Sequence, residues 1–411
     1  MTAAILTIGT ELTRGELVDS NAAWLSAELT ALGFEVLHHL SVDDDKARIV
    51  SALKWLAEDH RLVIVTGGLG PTTDDLTTEA AAEAIGQAMV LDPASLEAIR
   101  KRWSALGRPM PQSNEKQAMF PQGARVLANQ AGTAPGFCIT LSESEIYFLP
   151  GVPGEMKRMF LESVVPTLAP RAERQSHQVL LRSFGLPESE IADRLRDLEL
   201  PDSITMAYRA HFPEIEVKVL ARASNPVEAE ESARRVAGEV RARLSGCIYG
   251  ERDDTFASHI GRLLRARGLR IAVAESCTGG LIGALLTSVP GSSEYLIFDT
   301  VTYANAAKSA LLGVSPETLR AHGAVSAETA AAMAEGALRL SEADLAVSVT
   351  GIAGPGGGSE SRPVGTIWFA LARKGQATLT EHHKLGGDRE RIRVLASYMA
   401  LKFVERAIEA P

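Results

Sequence analysis

Ala272-Val273-Ala274-Glu275-Ser276-Cys277-Thr278-Gly279-Gly280-Leu281 is an apolar run that ends in small and polar residues and passes into a glycine-started helix pattern. A serine at such a strand-to-helix turn presents its hydroxyl outside the sheet edge. The N–H groups of Cys277, Thr278 and Gly279 can converge at the helix N-terminus as an oxyanion hole. The same serine also serves as an N-cap, the commoner use of the residue at such a place. A nucleophile needs a base, and no histidine has an obvious triad setting. In Val301-Thr302-Tyr303-Ala304-Asn305-Ala306-Ala307-Lys308 a tyrosine and a lysine lie five residues apart where a strand gives way to a helix. A desolvated lysine with a depressed pKa fits the base role, with the tyrosine hydroxyl relaying or positioning the proton. Their bland alternatives are a buried strand-end ring and a solvated helix lysine. Thr350-Gly351-Ile352-Ala353-Gly354-Pro355-Gly356-Gly357-Gly358 offers a backbone cradle for a phosphate, with Thr350, Gly351, Gly354, Gly356 and Gly357 as candidates. A mobile linker is the alternative, but the Thr350-Gly351 lead-in after an apolar strand argues for order. Arg389 and Arg391, opening the last helix, are candidate phosphate clamps if they are not simply solvated.

A second constellation lies near the start. Thr66-Gly67-Gly68-Leu69-Gly70-Pro71-Thr72-Thr73-Asp74-Asp75 follows an apolar strand and opens a helix, where ligands of open α/β sheets collect. Gly67, Gly68 and Gly70 let backbone N–H groups approach a phosphate. Asp74 and Asp75 read either as helix caps or as metal or proton-handling groups. Lys116 is a candidate for an anionic group or a solvated face, and Asp43-Asp44-Asp45 could contribute to a cation site but reads mainly as an exposed turn. His382 and His383 fall in a strand pattern with no zinc spacing around them and read as edge residues, and the remaining histidines are scattered.

These residues require elements to hold them. From Ala3 the chain alternates short apolar strands with amphipathic helices, predicting a parallel sheet covered on both faces. Between about Gln178 and Gly250 the order strand, helix, strand, strand, helix, strand predicts a small α+β domain. From about Thr255 the βα alternation resumes and ends in a long helix after Asp388. The expected domains are 1–170, 175–250 and 253–411, with linkers at Pro166–Arg174 and in the acidic turn Glu251-Arg252-Asp253-Asp254. The low apolar content of that turn predicts that a fragment from Asp253 to Pro411 folds alone.

Two or three domains suit 411 residues, since single cores stop growing near about 250–300. A hydrophobic fraction of 45% and a charged fraction of 23% exclude a disordered chain. A net charge of −9 disfavours nonspecific attraction to nucleic acid or anionic membrane. The separated Cys138, Cys247 and Cys277, the absence of a basic leader pattern and the lack of a long apolar run give a soluble, cytoplasmic expectation.

Gly9-Thr10-Glu11-Leu12, Thr66–Asp75, Gly132-Thr133-Ala134-Pro135-Gly136 and Leu149-Pro150-Gly151-Val152-Pro153 together resemble the molybdopterin-binding-like domain of the CinA (competence/damage-inducible protein A) family. The middle third is similar to that family's KH-like module. The Ser276 turn, Thr302–Lys308 and Thr350–Gly358 resemble its nicotinamide-nucleotide amidohydrolase module. The resemblance implies a Ser276 nucleophile, assisted by Tyr303 and Lys308, that converts nicotinamide mononucleotide to nicotinate mononucleotide and ammonia without a cofactor. It also implies ADP-ribose pyrophosphatase activity at the N-terminal site, using a divalent metal, alone or with a monovalent cation, near Asp74 and Asp75. The expected partners are these nucleotides, and the expected assembly is a homodimer. Phe298-Asp299 departs from a small Gly-Gly pair frequent in the family and leaves the pocket width beside Tyr303 open. Two other roles stay on the table: adenylylation or binding of molybdopterin by the first domain, and a competence-related binding protein without catalysis. A nucleic-acid role is disfavoured because Gln178–Gly250 lacks the GXXG loop of RNA-binding KH modules. The middle domain then reads as a spacer or dimerisation element.

Overall fold

In the computed structural model, residues 2–171 and 175–409 are described; Met1, the last three residues of the expected Pro166–Arg174 linker and residues 410–411 lie outside them. The chain forms two compact units. One comprises Met1–Gln178 with Pro201–Thr205 and Leu220–Arg234, the other Val179–Leu200, Met206–Val219 and Arg235–Pro411.

The first unit contains β1 (Thr2–Ile8), β2 (Glu35–Val42) and β3 (Leu62–Thr66), a short ribbon of β4 (Met89–Leu91) with β5 (Met119–Pro121), and then β6 (Arg125–Leu127), β7 (Gly136–Leu141) and β8 (Ser144–Leu149). Its main sheet runs β2-β1-β3-β8-β7-β6. The first four strands are parallel, as the βαβ alternation predicts, but β7 and β6 are antiparallel, so the sheet is mixed. The reason lies between Leu141 and Ser144. Two residues, one of them Ser142 at φ 56°, connect these paired positions, and so short a loop joins only antiparallel strands. Strand alternation sends Ala4, Leu6, Val63 and Val65 into one core and Ala3, Ile5, Leu62 and Ile64 into another, one on each face of the sheet. The flanking helices Ser20–Ala31 and Lys46–Asp59 start where Asp19 and Asp45 accept the Ala22 and Arg48 N–H groups.

The middle sheet, β10-β11-β9-β12, is built from β9 (Gln175–Ser183), β10 (Ile204–His211), β11 (Glu214–Ala223) and β12 (Ile248–Glu251), with helices Glu188–Leu195 and Pro226–Arg243, in the order expected from sequence. The second unit also carries a five-stranded sheet of β13 (Ile271–Glu275), β14 (Leu296–Val301), β15 (Leu345–Gly351), β16 (Thr366–Arg373) and β17 (Leu379–Lys384), ordered β14-β13-β15-β16-β17. β13 lies parallel to both neighbours, and β16 and β17 continue antiparallel. β17 is an edge, so His382 and His383 are edge residues as expected.

The acidic turn near Asp253 is less bare than its composition suggests. Phe184 and Tyr249, both upstream of it, belong to the same core as Phe256, and their rings lie 5.2 Å from the Phe256 ring; Tyr398 of the last helix stacks on Phe256 at 5.8 Å. A fragment beginning at Asp253 would uncover this aromatic cluster. The turn itself stays exposed at Arg252 and Asp253, but the cluster beside it draws Phe184 and Tyr398 from distant segments, which local composition cannot reveal. Among the described residues no helix is long and apolar enough to cross a membrane.

Candidate active site

β13 is buried along its whole length, and its C-terminal end delivers Glu275 and Ser276 to the start of the helix Leu281–Thr287. Gly279 and Gly280, at φ 64° and 93°, make the turn between them. The Lys308 side chain, only 1% exposed, enters from the helix Asn305–Leu312. Its Nζ lies 3.0 Å from Ser276 Oγ, 2.6 Å from the Thr302 carbonyl oxygen and 3.2 Å from that of Tyr303. The two carbonyls only accept, so they fix two N–H bonds of the amine; the third contact is with a hydroxyl that can also donate. In the neutral amine the remaining lone pair therefore faces the Ser276 O–H. Burial pushes the Lys308 pKa below its ordinary value, opposed in part by Cys277. The Cys277 thiol is itself pushed up to about 12 by burial, so it stays protonated and does not compete as a nucleophile.

Tyr303 occupies a different position from the one expected. It meets Lys308 through its main-chain carbonyl, while the residue is 62% exposed and its hydroxyl accepts a hydrogen bond from Arg389 at 3.2 Å. The phenol is not interposed between Ser276 and Lys308. Arg389 also donates to the Gly354 carbonyl at 2.7 Å and so ties the Gly354–Gly358 loop to Tyr303. The Thr350 hydroxyl is already committed to the Ala324 carbonyl, and a side chain at Gly351 would strike Ile367 and the Thr366 carbonyl. Both residues shape the lead-in to the loop. Gly356 and Gly357 lie exposed beyond it. Arg391 points elsewhere, its guanidinium 4.1 Å from the centre of the Phe212 ring.

Of the three expected oxyanion donors, Gly279 N–H is used internally on the Ser276 carbonyl. The N–H groups of Cys277 and Thr278 have no oxygen acceptor among the described residues and lie toward the Cys277 sulfur. Thr278 Oγ1 is buried and likewise unpartnered. Two residues that the sequence did not single out hold this loop in place. The buried Glu275 carboxylate accepts the Gly280 and Gly283 N–H groups, both at 2.9 Å, and Arg393 donates to the Thr278 carbonyl at 2.9 Å. Next to Glu275, the Asp299 carboxyl closes over Gly283, whose missing side chain would sit 1.8 Å from Asp299 Oδ2. The residue is exposed on its other side, but desolvation of the carboxyl against Gly283 and then the Glu275 charge push Asp299 up to about 6.

In the first unit, Gly67 and Gly68 have φ of 110° and 65°, and Cβ atoms there would lie 2.1 Å from the Ile8 carbonyl oxygen and from Thr77 Oγ1. Only glycine lets the loop pass. Asp75 caps it, with Oδ2 accepting the Thr72 N–H at 2.8 Å and the Thr72 hydroxyl. Asp74 is exposed and lines a cavity of about 430 Å³. Hydrogen bonding within the loop lowers the Asp74 pKa. Glu11, Asp44 and Glu155 also line this cavity, as do Gly67, Gly68 and Gly70. Within the Asp43–Asp45 run, Asp44 alone lines this cavity. Asp45 caps a helix and Asp43 pairs with Arg48, whereas Asp44 accepts the Thr10 N–H and hydroxyl, each at 2.8 Å, at the cavity wall. Lys116 bonds the Thr72 carbonyl at 3.2 Å and pairs with Glu79 at 3.4 Å. These carboxylates do not form a close three-ligand cluster. Among the described residues only His259, Glu405 and Glu409 do, and there Lys402 pairs with Glu405 in place of a metal. The N-terminal set fits a hard cation held by one or two carboxylates with substrate oxygens and water.

The modules match three family models: "CinA C-terminal domain" over residues 253–408, "Probable molybdopterin binding domain" over 4–170 and "Damage-inducible protein CinA KH domain" over 178–250. Together they describe a three-module α/β protein. The chain belongs to the CinA family: it is 45% identical over 414 residues to a CinA-like protein of Geobacter sulfurreducens, covering 99% of each chain. It is 43% identical to a CinA-like protein of Geobacter metallireducens, again over 99% of both. Among solved structures, the competence/damage inducible protein CihA from Agrobacterium tumefaciens shares 44% identity, covering 38% of this chain and 94% of that one, with a TM-score of 0.37.

Proposed function

We propose that the second unit hydrolyses the carboxamide of nicotinamide mononucleotide, with Ser276 as nucleophile and Lys308 as its base. The observation that carries this reading is the buried Lys308 amine, whose only contact among the described residues able to donate a proton to it is the Ser276 hydroxyl. Ser276 Oγ attacks the carboxamide carbon while its proton passes to Lys308. The carbonyl oxygen takes the negative charge and is stabilised by the Cys277 and Thr278 N–H groups. Lys308 then returns the proton to the departing nitrogen, the C–N bond breaks, and ammonia leaves an acyl ester on Ser276. Water, deprotonated by the same amine, attacks that ester; the bond from the acyl carbon to Ser276 Oγ breaks, nicotinate mononucleotide leaves and Ser276 regains its proton from Lys308. Tyr303 and Arg389 brace the rim rather than relay protons. The choice of nicotinamide rests on the family resemblance, and the dyad supports the reaction class. Ammonia release from nicotinamide mononucleotide, with mass spectrometry of the acylated chain, tests it. Near-normal turnover by Ser276→Ala would replace the dyad with an activated water.

A second reading concerns the first unit. Glu11, Asp44, Asp74 and Glu155 around one cavity, with Lys116 already neutralised, support a cation-dependent pyrophosphatase acting on ADP-ribose. Asp74 and its acidic neighbours would hold the cation, which would offset charge developing on the pyrophosphate.

A further inference from the structure

A cavity in the second unit, away from Ser276, measures about 760 Å³, within the range of small-molecule sites. One wall is a single stripe of the last helix: Arg391, Leu395, Met399, Lys402 and Arg406, spaced four, four, three and four residues apart. The facing wall includes Leu186, Phe212, Pro213 and Ile215. The stripe is apolar in its middle and cationic at both ends, but the two ends differ. At one, Arg406 grips both oxygens of Glu381 at 2.7 and 2.6 Å, and Lys402 is held by Glu405 and the Gly246 carbonyl. At the other, Arg391 has no acidic partner among the described residues and lies against the Phe212 ring. Glu214, also on the lining, is engaged by Tyr398 and Arg182. The remaining acid, Glu188, sits at the first turn of its helix, where the helix dipole favours its charge. A ligand that fits this polarity lays a flat apolar body along Leu395 and Met399, with its negative end at Arg391. Methionine and proline surfaces beside an aromatic ring suit a flat ring system.

We propose that this cavity binds an aromatic organic anion, a ring system carrying one carboxylate or phosphate monoester. The site is separate from the serine–lysine dyad and does not depend on what the dyad acts on. The test uses the full chain and the fluorescent aromatic sulfonate 1-anilinonaphthalene-8-sulfonate. One saturable equivalent should bind. Met399→Trp, which fills the apolar middle, and Arg391→Gln, which removes the unpaired charge, should each weaken binding at least tenfold while leaving the circular dichroism melt unchanged. Displacement by anthranilate marks the carboxylate as the recognised head, and displacement by AMP marks the phosphate. The proposal is overturned if both variants bind the dye like the parent chain, or if neither compound displaces it.

Discussion

Lys308 Nζ stands 3.0 Å from Ser276 Oγ although 32 residues separate them, because the parallel strands β13 and β14 end side by side and the helix carrying Lys308 starts just after β14. The base role follows from how that amine is held, and arginine tests it. Guanidinium keeps the charge but does not deprotonate. Lys308→Arg should therefore be as inactive as Lys308→Ala, each down by about a thousandfold or more in kcat. Because the base must be neutral and burial lowers its pKa, the rate of the parent chain should rise with pH through that lowered value and then level off. A Lys308→Arg chain with near-parental turnover would refute the base assignment.

Asp74 and Asp75 should separate by mutation. Both line the cavity, but Asp75 is occupied by Thr72 and shapes the loop, whereas Asp74 is exposed. Asp74→Asn should abolish cation-dependent AMP release from ADP-ribose, without lowering the melting temperature and without changing ammonia release. Chelation should do the same to the parent chain. Undiminished AMP release by Asp74→Asn would remove it from the cation site.

Glu275→Gln should uncouple the serine turn from its helix. A carboxylate offers an oxygen to each of the Gly280 and Gly283 N–H groups; glutamine turns an NH2 toward one of them. A buried amide left unpaired costs about 1–3 kcal/mol. A drop in melting temperature of several degrees, with kcat falling more than KM changes, is expected. An unchanged kcat would mean that Ser276 holds its place without this anchor.

Asp299 makes the opposite prediction for stability. Its folded-state pKa, about 6, exceeds the ordinary 3.8, so the folded chain holds this proton more tightly than the unfolded one. Ionising the group therefore costs stability, fully above about pH 6 and not at all well below 4. Since its open side is screened by water, the penalty is on the order of 0.5–1 kcal/mol. Asp299→Asn should raise the melting temperature by one or two degrees at neutral pH, and the gain should vanish in acid. A gain that is the same at both ends would point to packing instead.

The serine turn was legible because an apolar run, a hydroxyl and paired glycines fall within ten residues. The burial of Lys308 was not, since Asn305-Ala306-Ala307-Lys308 has the composition of a solvated helix face and only the tertiary fold closes it off. Arg391 carries a plainer lesson. Two positions apart on a helix turn side chains by about 200°, so Arg389 and Arg391 do not face one site, whereas Arg389 and Arg393 share a side. Arg393 was thus readable from periodicity and overlooked. Asp44 was hidden by its neighbours, two of which do form the ordinary turn that the acidic run suggests.

Burial also sets Lys308 apart toward reagents. A neutral amine is the form that acylating and reductive-methylation reagents attack, yet this one is 1% exposed and ringed by protein oxygens. Surface lysines should be labelled while Lys308 is spared. Its slow labelling then measures how often the ground around Ser276 opens, a clock for local breathing that needs no substrate.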